Sequence, residues 1–221
     1  MNTQHNFLRE RFEQHKAKND YSKLDDKNIK EAMDEVVKIL SEAYPHHTFK
    51  RKASLTFQEI GNYLKTEFEE NMNGRKMLPD GGVIWMDNKY PILISEAKRQ
   101  GTNNERIKEG KAKQATGNAI ERLGKNLIGF LNLYREETIF PFICFCWGCD
   151  FESPIVIAKL FTLNSFNPIN QVYVQTPHIG LKPFTCLTKP DSAWTRGEII
   201  DVALHVAEIS IQYFEDKEYH G

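Results

Sequence analysis

No stretch of this chain is apolar for long enough to cross a bilayer. The longest run, FPFICFCW at 140–147, falls far short of the roughly 20 residues a spanning helix needs, so no membrane association is expected. The first twenty residues, MNTQHNFLRERFEQHKAKND, contain no continuous apolar stretch. The reading is therefore a cytoplasmic protein without a secretory signal. Cysteine is scarce, four in 221 residues, which in that setting means reduced thiols and no disulfide framework. There is no internal repeat, no low-complexity tract and no long linker, which argues against a solenoid or a string of small domains. Nor is there a net charge to speak of, 29 basic against 30 acidic residues giving −1. What is present is ordinary for a folded enzyme-sized domain: 40% hydrophobic and 27% charged residues, enough apolar material for a real core and too much for disorder.

The even charge balance conceals a gradient. Between positions 96 and 135, nine basic residues face four acidic ones, a local net of +5, whereas 187–221 holds seven acidic and three basic residues, a net of −4. A basic segment in a neutral protein can be a face for phosphates, and it can equally be the solvated surface of a helix.

Residues 1–25 are polar and charged and read as an N-terminal arm, leaving 26–221 as a single domain. Apolar residues at Ile29, Ala32, Val36, Val37, Ile39 and Leu40 predict an amphipathic helix over 26–43, stopped by Pro45. A second helix is expected over 56–70, with Ile60, Leu64 and Phe68 on one side. The period then changes. GGVIWM (81–86) and YPILISEAK (90–98), separated by Asp87-Asn88-Lys89, are β-rich runs with a hairpin signal between them. Ile120, Leu123, Leu127, Leu131 and Tyr134 predict a long helix reaching about 134, FPFICFCWG (140–148) and NQVYVQ (170–175) further strands, and 198–214 a closing helix. The fold class is α/β (an α+β sandwich), a central mixed sheet of about five strands flanked by helices.

The hairpin carries the chemistry. Asp80 opens its first strand and Glu96-Ala97-Lys98 ends its second. Side chains alternate along a strand, so Glu96 and Lys98 share a face and Ala97 takes the other. The start of one hairpin strand lies beside the end of its partner, which brings Asp80 to Glu96 and Lys98. Two carboxylates at one point repel unless a cation joins them. Mg²⁺, a hard ion that takes one or two carboxylates and completes its shell with water and phosphate oxygens, suits such a place. It could activate a water and stabilise charge at phosphorus, with Lys98 orienting the water or neutralising the phosphate. The bland alternative is a surface ion-pair cluster at a sheet edge.

A third block, GNAIERLGKN at 117–126, has the side chains of base readout. Asn bonds bidentately to adenine in the major groove, Glu accepts from an amino group, Arg donates to a purine, and a glycine such as Gly117 admits close backbone approach. As plain structure, Asn118 would be an N-cap and Glu121 and Arg122 exposed helix charges.

Taken in order, MLPDGGV (77–83), ISEAKRQG (94–101) and GNAIERLGKN resemble the EcoRI family of type II restriction endonucleases, within the PD-(D/E)xK nucleases. Weaker likeness runs through SEAYPHHTF (41–49), FPFICF (140–145) and NPIN (167–170), so that it covers roughly 30–210. The resemblance implies a restriction-endonuclease-like fold and a bacterial or archaeal source. It makes Asp80, Glu96 and Lys98 the catalytic set. Asp80, Glu96 and the Ala97 carbonyl would hold Mg²⁺, and attack by water would leave a 5′-phosphate. It further implies a homodimer that cuts double-stranded DNA at a palindrome, and a cognate DNA methyltransferase acting on the same site. In the family the third block reads an inner AATT, at positions matching Gly117, Asn118, Ala119, Glu121 and Arg122; Lys111, Lys113, Lys125 and Asn126 would contact the DNA backbone. Two departures stand out. The spacer between the second and third blocks is shorter than the family pattern. Alignment on Pro168-Ile169-Asn170 places Val156 where the family has an arginine for an outer G·C pair, so that contact is expected to be missing and the site to be AATT alone or AATT with differently read flanks. Rival readings are a structure-directed or repair nuclease of the same fold and a non-catalytic sequence-specific DNA-binding protein.

Other residues have plainer expectations. Cys144, Cys146 and Cys149, with His46 and His47 upstream, permit a zinc site, but thiols alternating in an apolar strand commonly serve as small core residues. Trp194 is expected to anchor the last helix. Glu59 is read as an exposed helix glutamate, with a supporting role behind the metal site as the alternative. His178, His205 and His220 have no partner at an informative spacing.

Overall fold

Two β-rich apolar runs, buried on both faces, produce the central hairpin. In the computed structural model, which describes residues 27–101, 103–108, 110, 118–176 and 182–220, β4 (Gly82–Met86) and β5 (Tyr90–Arg99) pair antiparallel. Three residues, Asp87-Asn88-Lys89, connect them. Asp87 and Asn88 both have positive φ, 55° and 53°, and Lys89 N–H donates to the Met86 carbonyl at 3.0 Å. This is the mirror-image turn whose twist matches that of the flanking strands. β1 (Phe49–Lys52) extends the sheet antiparallel beyond β4, while β6 (Phe142–Trp147) and β7 (Thr185–Lys189) extend it parallel beyond β5. The order is β1-β4-β5-β6-β7, a five-stranded mixed sheet. A separate two-stranded ribbon joins β2 (Leu55–Thr56) to β3 (Lys76–Met77).

Helices cover both faces, as parallel crossovers require. Even-numbered β6 side chains look towards α4 (Asn118–Leu133), where Phe130 meets Phe142 with ring centroids 5.9 Å apart. Odd-numbered ones look the other way, towards α1 (27–43) and α6 (Arg196–His220): Ile29, Ala97, Phe145, Trp194 and Ile199 line one small cavity between these layers. The remaining helices are α2 (Phe57–Leu64), α3 (Asn103–Lys108) and α5 (Pro154–Leu163). The core runs through Val36, Leu40, Leu93, Ile94, Phe142, Phe145, Leu127, Phe130, Ala203 and Ile211, all buried.

The sandwich, the hairpin and the long helices are as the periodicity predicts, and four elements differ. The 56–70 helix stops at Leu64, where Lys65 turns left-handed (φ 53°) and its N–H closes on Asn62. NQVYVQ forms no ladder; it makes one isolated bridge, Gln175 to Ile139. Asn170 explains this. It is left-handed (φ 62°), its N–H donates to the Cys186 carbonyl, and its side-chain oxygen accepts from Thr188 N at 2.7 Å. The segment thereby caps the outer edge of β7 instead of adding a strand. The sheet reaches five strands through β1 and β7, neither of which the sequence pattern marks. The 1–25 arm lies outside the described residues, as does His178.

Trp194 is an anchor as expected. Its indole Nε1 donates to the Cys146 carbonyl at 2.9 Å, and its ring meets Phe145 edge-on at 5.3 Å. It leads into a capping box in which the Glu198 carboxylate accepts from Thr195 N at 2.9 Å and from its hydroxyl at 2.8 Å. Lys189, bonded to both Glu198 oxygens, and the Thr195 donors draw the Glu198 pKa down to about 2. Glu198→Ala should lower stability by about 1 kcal/mol, the usual cost of a lost cap. Because the folded pKa is depressed, that contribution is present above the ordinary carboxylate range and fades as pH falls towards 2. Urea titrations of both proteins at pH 7 and pH 3 check it, since the gap should narrow at the lower pH.

Candidate active site

Strand register builds the site. Gly82 pairs with Ser95 and the Gly81 N–H donates to the Ser95 carbonyl at 3.0 Å, so Asp80 arrives beside Glu96 and Ala97. The Asp80 N–H donates to Glu96 Oε2 at 3.1 Å, and Asp80 Oδ2 accepts from Ala97 N at 3.2 Å. Each residue thus fixes the other. Parallel pairing sets Glu96 beside Cys144 and Lys98 beside Cys146 on the α4 face, and Ala97 beside Phe145 on the opposite face, as alternation predicts.

Lys98 is the centre of the cluster. Its ammonium donates to Asp80 Oδ2 at 2.9 Å, to the Ala97 carbonyl at 3.0 Å and to Glu96 Oε1. Three oxygens, from Asp80, Glu96 and Ala97, converge on one cation. Burial is graded: the Glu96 side chain is 1% exposed, Lys98 13% and Asp80 29%, so the deep carboxylate is covered by the lysine and the outer one faces solvent. Burial, with the Asp80 charge adding to it, raises the Glu96 pKa against the opposing pull of Lys98. Burial alone would lower the Lys98 pKa, yet Glu96 and Asp80 together raise it, so the side chain is firmly an ammonium.

One further residue joins this group. Asn126 Nδ2 donates to Glu96 Oε1 at 2.9 Å. The sequence suggested a phosphate contact for this side chain, and the fold turns it inward to the carboxylate. Helical spacing carries the explanation. Ile120, Leu123 and Leu127 are buried, Glu121, Arg122 and Lys125 are exposed, and Ala119 and Asn126 are half-buried between them. The charged face of α4 and the carboxylate cluster are therefore contiguous, joined by the Asn126 amide. Asn118 is the first residue of α4; Gly117, Lys111 and Lys113 lie outside the described residues.

Other candidates settle into structural roles. Cys144, Cys146 and Cys186 are buried and Cys149 half-buried, all as free thiols, with Cys144 and Cys146 Sγ atoms 3.5 Å apart in the sheet. They are core residues. Glu59 completes the α2 capping box with Thr56 and pairs with Lys52 at 2.9 Å. Val156 is fully buried in α5, so no base-reading group is available at that position. A cleft of about 670 Å³ lies away from Asp80 and Glu96, among Tyr63, Trp85, Tyr90, Glu137 and Lys217; volume is a poorer guide here than converging charge.

Two carboxylates and a lysine thus converge at the open end of a hairpin, beside a helix with a charged exposed face. The family model described as restriction endonuclease EcoRI matches residues 14–159, well over half the chain. The type II restriction enzyme RsrI of Cereibacter sphaeroides is 27% identical over 239 residues, covering 86% of this chain and 85% of that protein. The type II restriction enzyme EcoRI of Escherichia coli is 31% identical over 150 residues, covering 60% of this chain and 54% of that one. The chain belongs to the EcoRI family of restriction endonucleases, and it is an enzyme of the type II class. Among its described residues, no helix is long and apolar enough to cross a membrane.

Proposed function

We propose that this endonuclease is a Mg²⁺-dependent homodimer that cuts both strands of duplex DNA at a palindrome containing AATT and leaves 5′-phosphates. A cognate methyltransferase would protect the same site. The observation that carries the catalytic part is the convergence of Asp80, Glu96 and the Ala97 carbonyl on one ammonium. A donor set of two carboxylates and a carbonyl already organised around a cation fits a hard divalent ion. Asp80, Glu96 and the Ala97 carbonyl would hold it, and when bound it supplies Lewis-acid stabilisation of the phosphorane charge and a more acidic water.

The chain's own groups do the rest. Asn126 and the Asp80 N–H hold the Glu96 carboxylate in one orientation. Lys98, held as an ammonium by its two carboxylates, is suited to neutralising the scissile phosphate or orienting the attacking water rather than to removing a proton. Glu121, Arg122 and Lys125 on the exposed face of α4, with Asn118 at its start, are assigned to the DNA. Asn118, Glu121 and Arg122 would read bases, and Gly117 and Ala119 would admit close approach. Lys111, Lys113 and Lys125 would contact phosphates.

The test is to incubate the protein with a plasmid of known sequence, with Mg²⁺ or with EDTA, and sequence the ends. Discrete Mg²⁺-dependent cuts at AATT are expected, and their flanks report what replaces the outer contact at Val156. Random cutting would favour a structure-directed nuclease, and binding without cutting a silent DNA-binding protein. Readout has its own test. Asn118→Ala should reduce discrimination between AATT and mismatched duplexes by about 1–3 kcal/mol. Lys125→Ala should weaken all duplexes alike and lower the salt slope of binding by about one. A change of site preference in Lys125→Ala would contradict its assignment to phosphate.

A further inference from the structure

A second cluster of metal-ligating groups lies at the other end of the hairpin. His46 Nε2 and His47 Nε2 are 3.3 and 3.0 Å from Glu215 Oε1, and all three donor atoms lie within 4.8 Å of one another. They come from two places: the segment between α1 and β1 supplies both histidines, and the last turns of α6 supply the glutamate. The β4–β5 turn adds Asp87, whose Oδ2 is 2.6 Å from His47 Nδ1. β4 runs from the Asp80 end to this turn, so the strand separates the two clusters.

We propose that His46, His47 and Glu215 form a binding site for one Zn²⁺, with Asp87 as the support that orients His47. Two imidazoles and a carboxylate are a borderline donor set that suits Zn²⁺ and not the hard ions Mg²⁺ or Ca²⁺. The spacing is right: tetrahedral bonds of 2.0–2.1 Å put ligand atoms about 3.3 Å apart.

The tautomer is set as well. Asp87 Oδ1 is held by Thr48 N at 2.8 Å and Thr48 Oγ1 at 3.1 Å, and its other oxygen takes the proton of His47 Nδ1. That arrangement directs the Nε2 lone pair at the Glu215 position, as in the carboxylate–histidine–zinc pattern. His47 is 11% exposed and fixed, while His46 is 62% exposed and open to solvent, so an ion has an approach and a site for a fourth, water ligand. Bound there, Zn²⁺ would tie the C-terminal helix to the chain leading into β1. This inference is independent of the DNA-cleavage reading.

The competing account is a histidinium held between two carboxylates, with no affinity for metal. Calorimetric titration with Zn²⁺ of full-length protein carrying Asp80→Ala, which removes the rival carboxylate pair, separates them. One equivalent should bind. Affinity should fall about 10–100-fold in Asp87→Asn, as for other lost supporting carboxylates, and at least as far in His46→Ala. Zn²⁺ should raise the melting temperature of the parent and not that of His46→Ala, whose exposed side chain makes a fold defect an unconvincing explanation. No bound equivalent, or one that His46→Ala leaves unchanged, would overturn the site and leave an ion-pair network in its place.

Discussion

Asp80→Ala is expected to abolish Mg²⁺-dependent cleavage while leaving DNA binding and the fold close to normal. The cluster holds two carboxylates and one ammonium, a residual charge of −1 that favours a divalent cation. Removing Asp80 leaves Glu96 and Lys98 as a neutral pair with no reason to exchange the lysine for a metal ion. A bound ion contributes several kcal/mol of charge stabilisation in phosphoryl chemistry, so the rate should fall by about a thousandfold or more. Stability should change by no more than about 1 kcal/mol. The Ala97 N–H loses its 3.2 Å partner, and this is offset by relief of the Asp80–Glu96 repulsion, one of the causes of the raised Glu96 pKa. Arg122 and Lys125 are untouched, so affinity for an AATT duplex measured in EDTA should stay within a few-fold. Plasmid cleavage, duplex binding and urea unfolding of the same preparation separate these effects. Undiminished cutting would remove Asp80 from the active site.

The convergence of Asp80, Glu96 and Lys98 was legible because it depends on short-range rules. A period of two fixes which face Glu96 and Lys98 share, the turn signal at Asp87-Asn88-Lys89 fixes the hairpin, and hairpin geometry then delivers Asp80 to Glu96 without knowledge of the rest of the fold. The failures are places where a longer-range fact decides. β1 is FKRK, too charged to look like a strand, and it forms because its backbone completes the edge beside β4; charges on an edge are what such strands carry. NQVYVQ has the alternation of a strand, but Asn170 spends its backbone and side chain on β7. Lys65 takes a left-handed helix stop that glycine or asparagine would have announced. The depth of Asn126 on α4 was ambiguous by wheel position alone; only the packing of α4 on β5 brings its amide to Glu96. The adjacent histidines were visible, and their partner, Glu215, is 168 residues away.

The paired glycines of the PDGG block show how strictly the hairpin is held to its neighbours, and Gly82→Ala should therefore be severely destabilising. Gly82 has φ +88°, and a Cβ there would lie 2.6 Å from the Lys52 carbonyl oxygen of β1. Neither cost can relax cheaply. The left-handed backbone disfavours any L side chain by about 1–2 kcal/mol, and the atom it meets is backbone in a paired strand, where overpacking costs about 1–3 kcal/mol. The sum, about 2–5 kcal/mol, is a large fraction of an ordinary domain's stability. Relief by moving β1 away would loosen its ladder with Val83 and Ile84, two and three residues beyond Asp80's glycine neighbour. Cleavage should consequently fall as well, through misplacement of Asp80 and not through loss of a ligand. Gly74→Ala is the matched control, because a Cβ there meets nothing within 4 Å, and it should leave both readouts unchanged. Urea midpoints and cleavage rates of the two variants decide the matter: equal midpoints would mean that β1 does not press on Gly82, and that the glycine is present for some reason other than the fit of this hairpin against its edge strand.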